Sequence, residues 1–415
     1  MPHWMRALLT TGAVTALVAC SSNGADPAKT ETGAQAGSDA GSGGAMSAAG
    51  TSSVAGTGGS DVPATAGTNA AGASGSATGG SAGDGLGGTA GNSSAGSGGA
   101  TTTGGTGVDA NGDTLPTRPL SVTATAGRHE HTFRSKDADS TVTFNDNTQI
   151  AVVDNRAAKM MGKLVLPFQG AGVKAGVVGP NGQFCAARGF HVLAIAAFQD
   201  YTITLNDADF YGDARKQVWD GLEHTKKGDF SDISMTPADG VAQRTQKALQ
   251  FLHKQYPTED WGYYLNADGS VRWSDVILTG MSHGASNVAR WAMLVRVSRV
   301  VSLSGPRDNM CTSMNASNCG GVVAKWFSET PATPIDRFYA LTGVNDEQHL
   351  QHLFAMETLK YVGKATSVAD AQPPYGNSHR LTVNAGHDDY CDQATYKAAC
   401  NYAFGVPTEN QNGVQ

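Results

Sequence analysis

The chain has 415 residues, of which 16% are charged and 53 are glycine, and its formal net charge is -7. This mild acidity, without clusters of Lys and Arg interleaved with aromatic residues, excludes an electrostatic nucleic-acid-binding surface. Residues 21 to about 115 are almost entirely Gly, Ala, Ser and Thr with a few Asp and Asn. Such a segment cannot bury enough apolar surface to offset its chain entropy, so we expect the folded core beyond it.

The N-terminus has the pattern of an export signal. Arg6 precedes an apolar run over residues 7–18, which is too short to span a bilayer and has the length of a signal-peptide core. The run ends in Leu17-Val18-Ala19-Cys20, which resembles the lipobox of bacterial lipoproteins. The resemblance implies cleavage before Cys20 and its acylation, and Ser21 after it favours the outer membrane over the inner one.

These patterns predict the domain organisation. We expect the mature protein to be exported and lipid-anchored at the cell envelope, with a flexible tether between membrane and folded domain. The predicted segments are a signal peptide over 1–19, the lipidated cysteine and disordered linker over 20–118, the folded domain over 119–408, and a C-terminal tail over 409–415.

The predicted elements of the folded domain alternate between strands and helices. Residues 120–160 alternate loosely in the β manner, notably over 141–144 and 150–153, which predicts antiparallel strands at a sheet edge. Further strands are predicted over 163–168, 191–197, 275–279, 299–303, 336–342 and 380–383, and helices over 182–188, 238–256, 284–294 and 347–362. The alternation implies a mostly parallel sheet covered by helices on both faces, with functional residues in loops at the carboxyl ends of its strands.

Residues 199–237 are irregular in pattern and rich in Asp and Tyr. They lie between a predicted strand and a predicted long helix. Because connecting segments of this length often cover a site, they are a candidate cap.

The sharpest chemical signal is Gly280-Met281-Ser282-His283-Gly284, directly between a predicted strand and a predicted helix. A strand-to-helix elbow of this kind exposes its serine at a strained position, and the flanking glycines avoid clashes across the turn. The same five-residue pattern occurs over 79–83 in the linker, where no strand or helix surrounds it. The structural context therefore identifies Ser282 as the candidate nucleophile.

A serine nucleophile requires a histidine base and an acid that orients it, in the chain order Ser, acid, His for this architecture. His387 follows the predicted last strand and is the candidate base. Asp346 follows the preceding strand and is the favoured acid, with Asp308, one strand earlier, as the alternative and Glu347 as a third choice.

Backbone N–H groups must stabilise the oxyanion that forms on the substrate. The predicted donors are the N–H of His283 and that of Gly170 or Ala171 in the loop over 169–172. No cofactor or metal is expected. His349 and His352 lie three residues apart on a predicted helix, and we expect them to be solvated because no third ligand is evident.

The cysteines after Cys20 are expected to lie in an oxidising compartment. The near pairs Cys311/Cys319 and Cys391/Cys400 are disulfide candidates, with the connectivity left open. Cys185 is then unpaired, and we expect it to be a buried free thiol.

Residues 160–400 as a whole resemble the α/β-hydrolase superfamily. Within it the chain is similar to a bacterial family marked by Leu-Pro…Gly-x-Gly, Trp-x-x-Tyr-Leu and Gly-Pro-x-Asp motifs, here Leu166-Pro167 with Gly170 and Gly172, Trp261-Gly262-Tyr263-Tyr264-Leu265, and Gly305-Pro306-Arg307-Asp308. The sequence departs from the family pattern where Met281 and His283 flank the serine and where Phe168-Gln169 interrupt the glycine loop. The resemblance implies an α/β-hydrolase fold and hydrolysis of ester bonds.

Three functions are therefore considered. The leading hypothesis is a carboxylic ester hydrolase acting through Ser282, His387 and Asp346 on an ester of unknown identity. The second is a peptidase or amidase that uses the same triad, and the third is a non-catalytic binding module on the same scaffold. The sequence leaves the substrate and the oligomeric state open.

Overall fold

The computed structural model describes residues 118–201, 207–308 and 324–414. Its described part is built on a nine-stranded sheet in the order β1-β2-β4-β3-β5-β6-β7-β9-β8. The strands are β1 Arg128–Arg134, β2 Thr148–Asp154, β3 Leu164–Phe168, β4 His191–Ala194, β5 Val276–Met281, β6 Arg299–Leu303, β7 Phe338–Gly343, β8 Thr366–Ser367 and β9 Arg380–Val383. The β1–β2 and β2–β4 pairs are antiparallel, and all other pairs are parallel.

Helices cover both faces of this sheet. They are α1 Ser135–Ala138, α2 Gly179–Ala186, α3 Ala208–Asp220, α4 Val241–Gln255, α5 His283–Leu294, α6 His349–Thr358 and α7 Lys397–Phe404. Successive side chains of β5 point to opposite faces: Leu278 packs in the core that contains α3, α4 and α5, whereas Ile277 packs in the core that contains α2 and α7. Central strands buried on both faces explain the continuous apolar run of β3.

The sheet, its helix-covered faces and its antiparallel edge confirm the expected α/β-hydrolase fold. Most predicted strands and helices are confirmed within a few residues of their expected ends. The antiparallel edge consists of β1 and β2, and β2 joins it to the parallel part of the sheet because it also pairs antiparallel with β4.

Two local predictions were wrong, and one helix was not predicted. Residues 141–144 are not a strand, because the backbone N–H groups of Thr143 and Phe144 donate to the Asp239 carboxylate instead of to a neighbouring strand. The segment 199–237 is not irregular throughout, since it contains α3, which Asp207 caps by accepting from two N–H groups. The sequence analysis also missed α7.

The C-terminal residues pack against the domain. Asn410 is buried, and the N–H of Val414 donates to the carbonyl of Ala187 at 2.8 Å. Asn410 and Val414, within the segment 409–415 predicted as a tail, therefore contact the folded domain.

One of the two candidate disulfides is present, between Cys391 and Cys400. Cys185 is a free, buried cysteine, and burial raises the pKa of its thiol well above the usual value. Cys311 and Cys319 lie outside the described residues, as do the predicted signal peptide, Cys20 and the linker. Within the described ranges, every helix is too short or too polar to span a membrane.

Candidate functional site

Ser282 lies at a sharp elbow between β5 and α5. Its backbone has φ 56° and ψ -117°, a conformation that costs energy for a residue with a side chain. A Cβ on Gly280 would lie 2.3 Å from the carbonyl carbon of Gly284, and a Cβ on Gly284 would lie 2.4 Å from the carbonyl oxygen of Phe168. Both glycines are therefore needed for the helix to start so close to the strand.

His387 and Asp346 meet at the same edge of the sheet. Asp346 follows β7 and His387 follows β9, and the His387 Nδ1–H donates to Asp346 Oδ2 at 2.7 Å. The Asp346 side chain is fully buried, whereas 31% of the His387 side chain is exposed. This arrangement orients the imidazole and leaves its Nε2 as the nitrogen that could accept a proton.

Asp346 is held in its ionised form. Burial acts to raise its pKa, but the hydrogen bonds from His387 and from the Gln348 N–H, together with the nearby imidazole of His352, hold the pKa below 3.8. The Gln348 N–H donates to Asp346 Oδ1 at 2.8 Å. The ionised carboxylate acts only as an acceptor, so His387 Nδ1 is the donor in their hydrogen bond.

The alternative acid, Asp308, is engaged elsewhere. Its two carboxylate oxygens accept from the Arg215 guanidinium at 2.6 and 2.8 Å, and Oδ2 also accepts from the Trp326 indole N–H at 2.9 Å. The Arg215 and Asp308 side chains are each only 1% exposed. Asp308 thus neutralises a buried arginine, and Glu347, the third choice, is exposed.

Hydrogen bonds tie the loops of the site together. The Ser282 N–H donates to the carbonyl of Leu303 at the end of β6. The Ser304 hydroxyl, next along the chain, donates to the carbonyl of Asp388 at 2.8 Å, beside His387. Tyr390 accepts from the Gly343 N–H and donates to the carbonyl of Gly386. The sequence analysis missed Ser304 and Tyr390, because nothing in the local pattern indicates which loops they join.

The loop with the predicted oxyanion donors lies against the nucleophile. A Cβ on Gly170 would be 3.7 Å from Ser282 Cβ, and Ala171 lines the same pocket as Ser282 and His283. The N–H of Gly172 donates to the carbonyl of Gln199 and anchors the loop. The structure therefore brings Gly170, Ala171 and His283 to Ser282, and their role as donors stays a prediction.

A pocket of about 180 Å³ opens beside Ser282. Helix α3, from the candidate cap segment 199–237, contributes Tyr211 and Arg215 to its wall. The side chain of His283 also lines the pocket, in edge contact with the Tyr201 ring. The segment thus does form a wall of the site.

His352 was wrongly expected to be solvated. It is completely buried, its Nδ1 lies 2.9 Å from Thr342 Oγ1 and 3.7 Å from Asp346 Oδ2, and burial lowers its pKa to about 3. His349, in contrast, is half-buried. Among the residues that the structure describes, no group of three or more His, Cys, Asp or Glu side chains could hold a metal ion.

Comparison with solved structures finds neighbours of low sequence identity. The fluorophosphonate-binding serine hydrolase F of Staphylococcus aureus aligns with 11% identity over 67% of this chain and 98% of its own, with a TM-score of 0.39. Carboxyl esterase 2 of Tuber melanosporum aligns with 13% identity over 72% of this chain and 90% of its own, with a TM-score of 0.36. Esterase B of Lactobacillus rhamnosis aligns with 14% identity over 69% of this chain and 87% of its own, with a TM-score of 0.38. No protein-family model and no curated protein matches the chain.

Proposed function

We propose that this protein is a serine hydrolase that cleaves carboxylic esters. The observation that carries the proposal is Ser282, held at positive φ on an elbow beside the loops that contain the hydrogen-bonded His387–Asp346 pair. A serine hydroxyl is a weak nucleophile until a base removes its proton. A neutral imidazole oriented by a buried carboxylate is the group that can remove it.

In the proposed reaction, Ser282 Oγ forms a bond to the ester carbonyl carbon while its proton passes to His387 Nε2. The tetrahedral intermediate collapses, the bond from carbon to the alcohol oxygen breaks, and the same proton passes to the leaving alcohol. Water then attacks the acyl-enzyme with His387 again as the base, which releases the acid and restores Ser282. Asp346 stays ionised and stabilises the imidazolium in both steps.

The negative charge of each tetrahedral intermediate would be stabilised by backbone N–H groups. His283 supplies one at the start of α5, where the helix dipole also favours negative charge, and Gly170 or Ala171 supplies the other. Loss of one such donor typically lowers the rate by about 100- to 1,000-fold.

The decisive test combines active-site labelling with turnover. The full chain should bind a fluorophosphonate covalently at Ser282 and hydrolyse 4-nitrophenyl acetate, whereas Ser282→Ala should do neither. Ser328→Ala is the matched control, since the Ser328 hydroxyl is exposed and donates only to the backbone carbonyl of Lys325 in a surface turn. Equal activity of the wild type and Ser282→Ala would contradict the proposal, and preferential cleavage of peptide amides would favour the peptidase alternative.

We further propose that the enzyme is exported and anchored at the cell envelope by lipid on Cys20, with residues 20–118 as the tether. The support is the sequence pattern around Cys20 alone. Cells that express the full chain should incorporate labelled palmitate into it and retain it in the membrane fraction. The Cys20→Ser variant should neither incorporate palmitate nor stay in the membrane fraction. Palmitate incorporation into Cys20→Ser would contradict the proposed anchor.

A further inference from the structure

The loop that contains His387 depends on hydrogen bonds for its shape. A Cβ on Gly386, the residue before His387, would meet no atom within 4 Å. Glycine has the widest choice of backbone conformations, so an unrestrained Gly386 would let the imidazole turn away from the serine. A backbone hydrogen bond from the N–H of Asn345 to the carbonyl of Ala385 fixes the loop only as far as the residue before Gly386.

The hydroxyl group of Tyr390 fixes the next residue of the loop. It donates to the carbonyl of Gly386 at 2.9 Å and accepts from the N–H of Gly343, at the end of β7, at 2.8 Å. A Cβ on Gly343 would lie 2.3 Å from the same Gly386 carbonyl oxygen, so only glycine allows the two backbones to approach this closely. One phenolic oxygen therefore joins the residue before His387 to the strand that leads to Asp346.

Ser304 extends this network to β6. Its hydroxyl oxygen accepts from the N–H of Asp388, the residue after His387, at 3.0 Å and lies 2.6 Å from the hydroxyl oxygen of Tyr390. The residue before Ser304, at the end of β6, accepts from the backbone N–H of Ser282. The two hydroxyl groups thus connect the backbone on both sides of His387 to the strands beside the nucleophile.

Tyr390 is itself held firmly in place. Its side chain is fully buried, and both neighbouring residues are anchored. The Asp389 carboxylate accepts from the N–H of Asn181 in α2 at 3.1 Å, and Cys391 forms its disulfide with the start of the next turn of chain in α7. Tyr390 also has φ 60°, a conformation that is costly for a bulky residue and persists where the surrounding structure enforces it, often at functional sites.

We infer that the hydroxyl groups of Tyr390 and Ser304 position His387 and Asp346 for proton transfer from Ser282. This inference rests on the proposed function and names the residues that hold its base in place. Burial raises the pKa of Tyr390 to about 12, so its hydroxyl keeps the proton at neutral pH and can donate. A misplacement of about 1 Å can lower the rate about 100-fold, so such hydrogen bonds affect catalysis without contact with the substrate.

The first test is Tyr390→Phe, which removes the hydroxyl group and keeps the ring. Because His387 acts in both acylation and deacylation, the two steps should slow together. We expect kcat for 4-nitrophenyl acetate to fall about 10- to 100-fold while KM stays within about twofold of the wild type. Labelling of Ser282 by a fluorophosphonate should slow by a similar factor. An unchanged kcat in folded Tyr390→Phe would overturn the inference.

Tyr264→Phe is the matched control. The Tyr264 side chain is also fully buried, and its hydroxyl forms a 2.9 Å hydrogen bond with Nδ1 of His191. Neither residue is among the described residues that line the pocket beside Ser282. This variant should lower the urea midpoint of unfolding much as Tyr390→Phe does, but leave kcat unchanged. An equal fall of kcat in both variants would assign the loss to general destabilisation and so refute the positioning role.

A readout without turnover separates positioning from stability. The Nδ1 proton of His387, in its 2.7 Å hydrogen bond to Asp346, should give a proton NMR resonance far downfield of the amide protons in the cold, where exchange with water is slow. His387→Gln should remove this resonance and thereby assign it. Tyr390→Phe should move it upfield or broaden it, and Tyr264→Phe should not. Absence of the resonance from the wild type, or its unchanged position in Tyr390→Phe, would contradict the inference.

Ser304→Ala decides the question if Tyr390→Phe does not fold. It removes the contacts with Asp388 and Tyr390 and should change kcat and the His387 resonance in the same directions. Folded Ser304→Ala with both properties unchanged would then count against the inference. The wild type separates the two proposals, because a wild type that neither reacts with a fluorophosphonate nor hydrolyses esters contradicts the hydrolase. Full activity in the wild type and in both variants contradicts the positioning role alone.

Discussion

Replacement of Asp346 by Asn is the perturbation that tests the proposed mechanism most directly. The carboxylate is fully buried and accepts the His387 Nδ1–H at 2.7 Å. Asparagine has nearly the same shape but no charge, and its amide nitrogen can present a donor to Nδ1. The variant should therefore keep the fold while it loses both the stabilisation of the imidazolium and the preference for the Nδ1–H tautomer.

The size of the effect follows from the charge pair that forms during the reaction. When His387 takes up the serine proton, the imidazolium and carboxylate charges are about 4 Å apart, which is worth about 4 kcal/mol at an effective dielectric constant of 20. That energy corresponds to about 1,000-fold in rate, and the wrong tautomer adds to it. We expect kcat/KM for 4-nitrophenyl acetate to fall about 1,000- to 10,000-fold, with an unchanged circular dichroism spectrum.

Asp308→Asn provides the contrast. It leaves the buried Arg215 without its charged partner, which should lower the free energy of unfolding by about 3–5 kcal/mol. Its loss of kcat/KM per folded molecule should be much smaller than that of Asp346→Asn, because Asp308 does not contact His387. Asp346→Asn activity within tenfold of the wild type, or a larger catalytic loss in Asp308→Asn, would refute this assignment of the acid.

Three further predictions concern stability. Burial lowers the pKa of His191 to about 4, so the unfolded state binds this proton more readily, and lowering the pH from 6.5 to 4 should reduce the free energy of unfolding by up to about 3 kcal/mol in urea titrations. His191→Gln should remove only the His191 share of that pH dependence, because the buried His283 and His352 also bind protons more readily in the unfolded state, and the exposed His253→Gln should leave the pH dependence unchanged. Replacement of both Cys391 and Cys400 by Ala opens a loop with a sequence separation of 9. This should lower the free energy of unfolding by about 2–3 kcal/mol in the same titrations, and an unchanged urea midpoint would contradict the prediction. Gly280→Ala places a Cβ 2.3 Å from the backbone of α5 and should lower the free energy of unfolding by about 1–3 kcal/mol. A variant as stable as the wild type would argue against the tight elbow.

The elbow shows how far a local pattern can carry a prediction. An apolar run followed by Gly-x-Ser-x-Gly and then by helical spacing predicted β5, the turn at Ser282 and α5, with ends within one or two residues of the structure. The reason is that a strand, a tight turn and a helix start depend on residues that are neighbours in the chain. The loops that contain Asp346 and His387 were predicted in the same way, because each directly follows the end of a predicted strand.

The sequence favoured Asp346 as the acid but left Asp308 open. Asp346 follows the strand before the last one, where the acid is expected, but Asp308 also follows a strand at the same edge of the sheet. Arg215, which is 93 residues before Asp308, forms the ion pair that occupies its carboxylate. That pairing depends on how α3 packs, and α3 itself was not predicted.

The sequence alone therefore determined the fold class, the position of Ser282 and the loops in which its partners should lie, because periodicity and turn chemistry are local properties. Only the tertiary structure decided which carboxylate contacts His387, that His352 is buried, and that α3 contributes Tyr211 and Arg215 to the pocket beside Ser282. Burial and charge pairing join residues that are far apart in the chain. They are set by the packing of whole elements and leave no signature in any single segment.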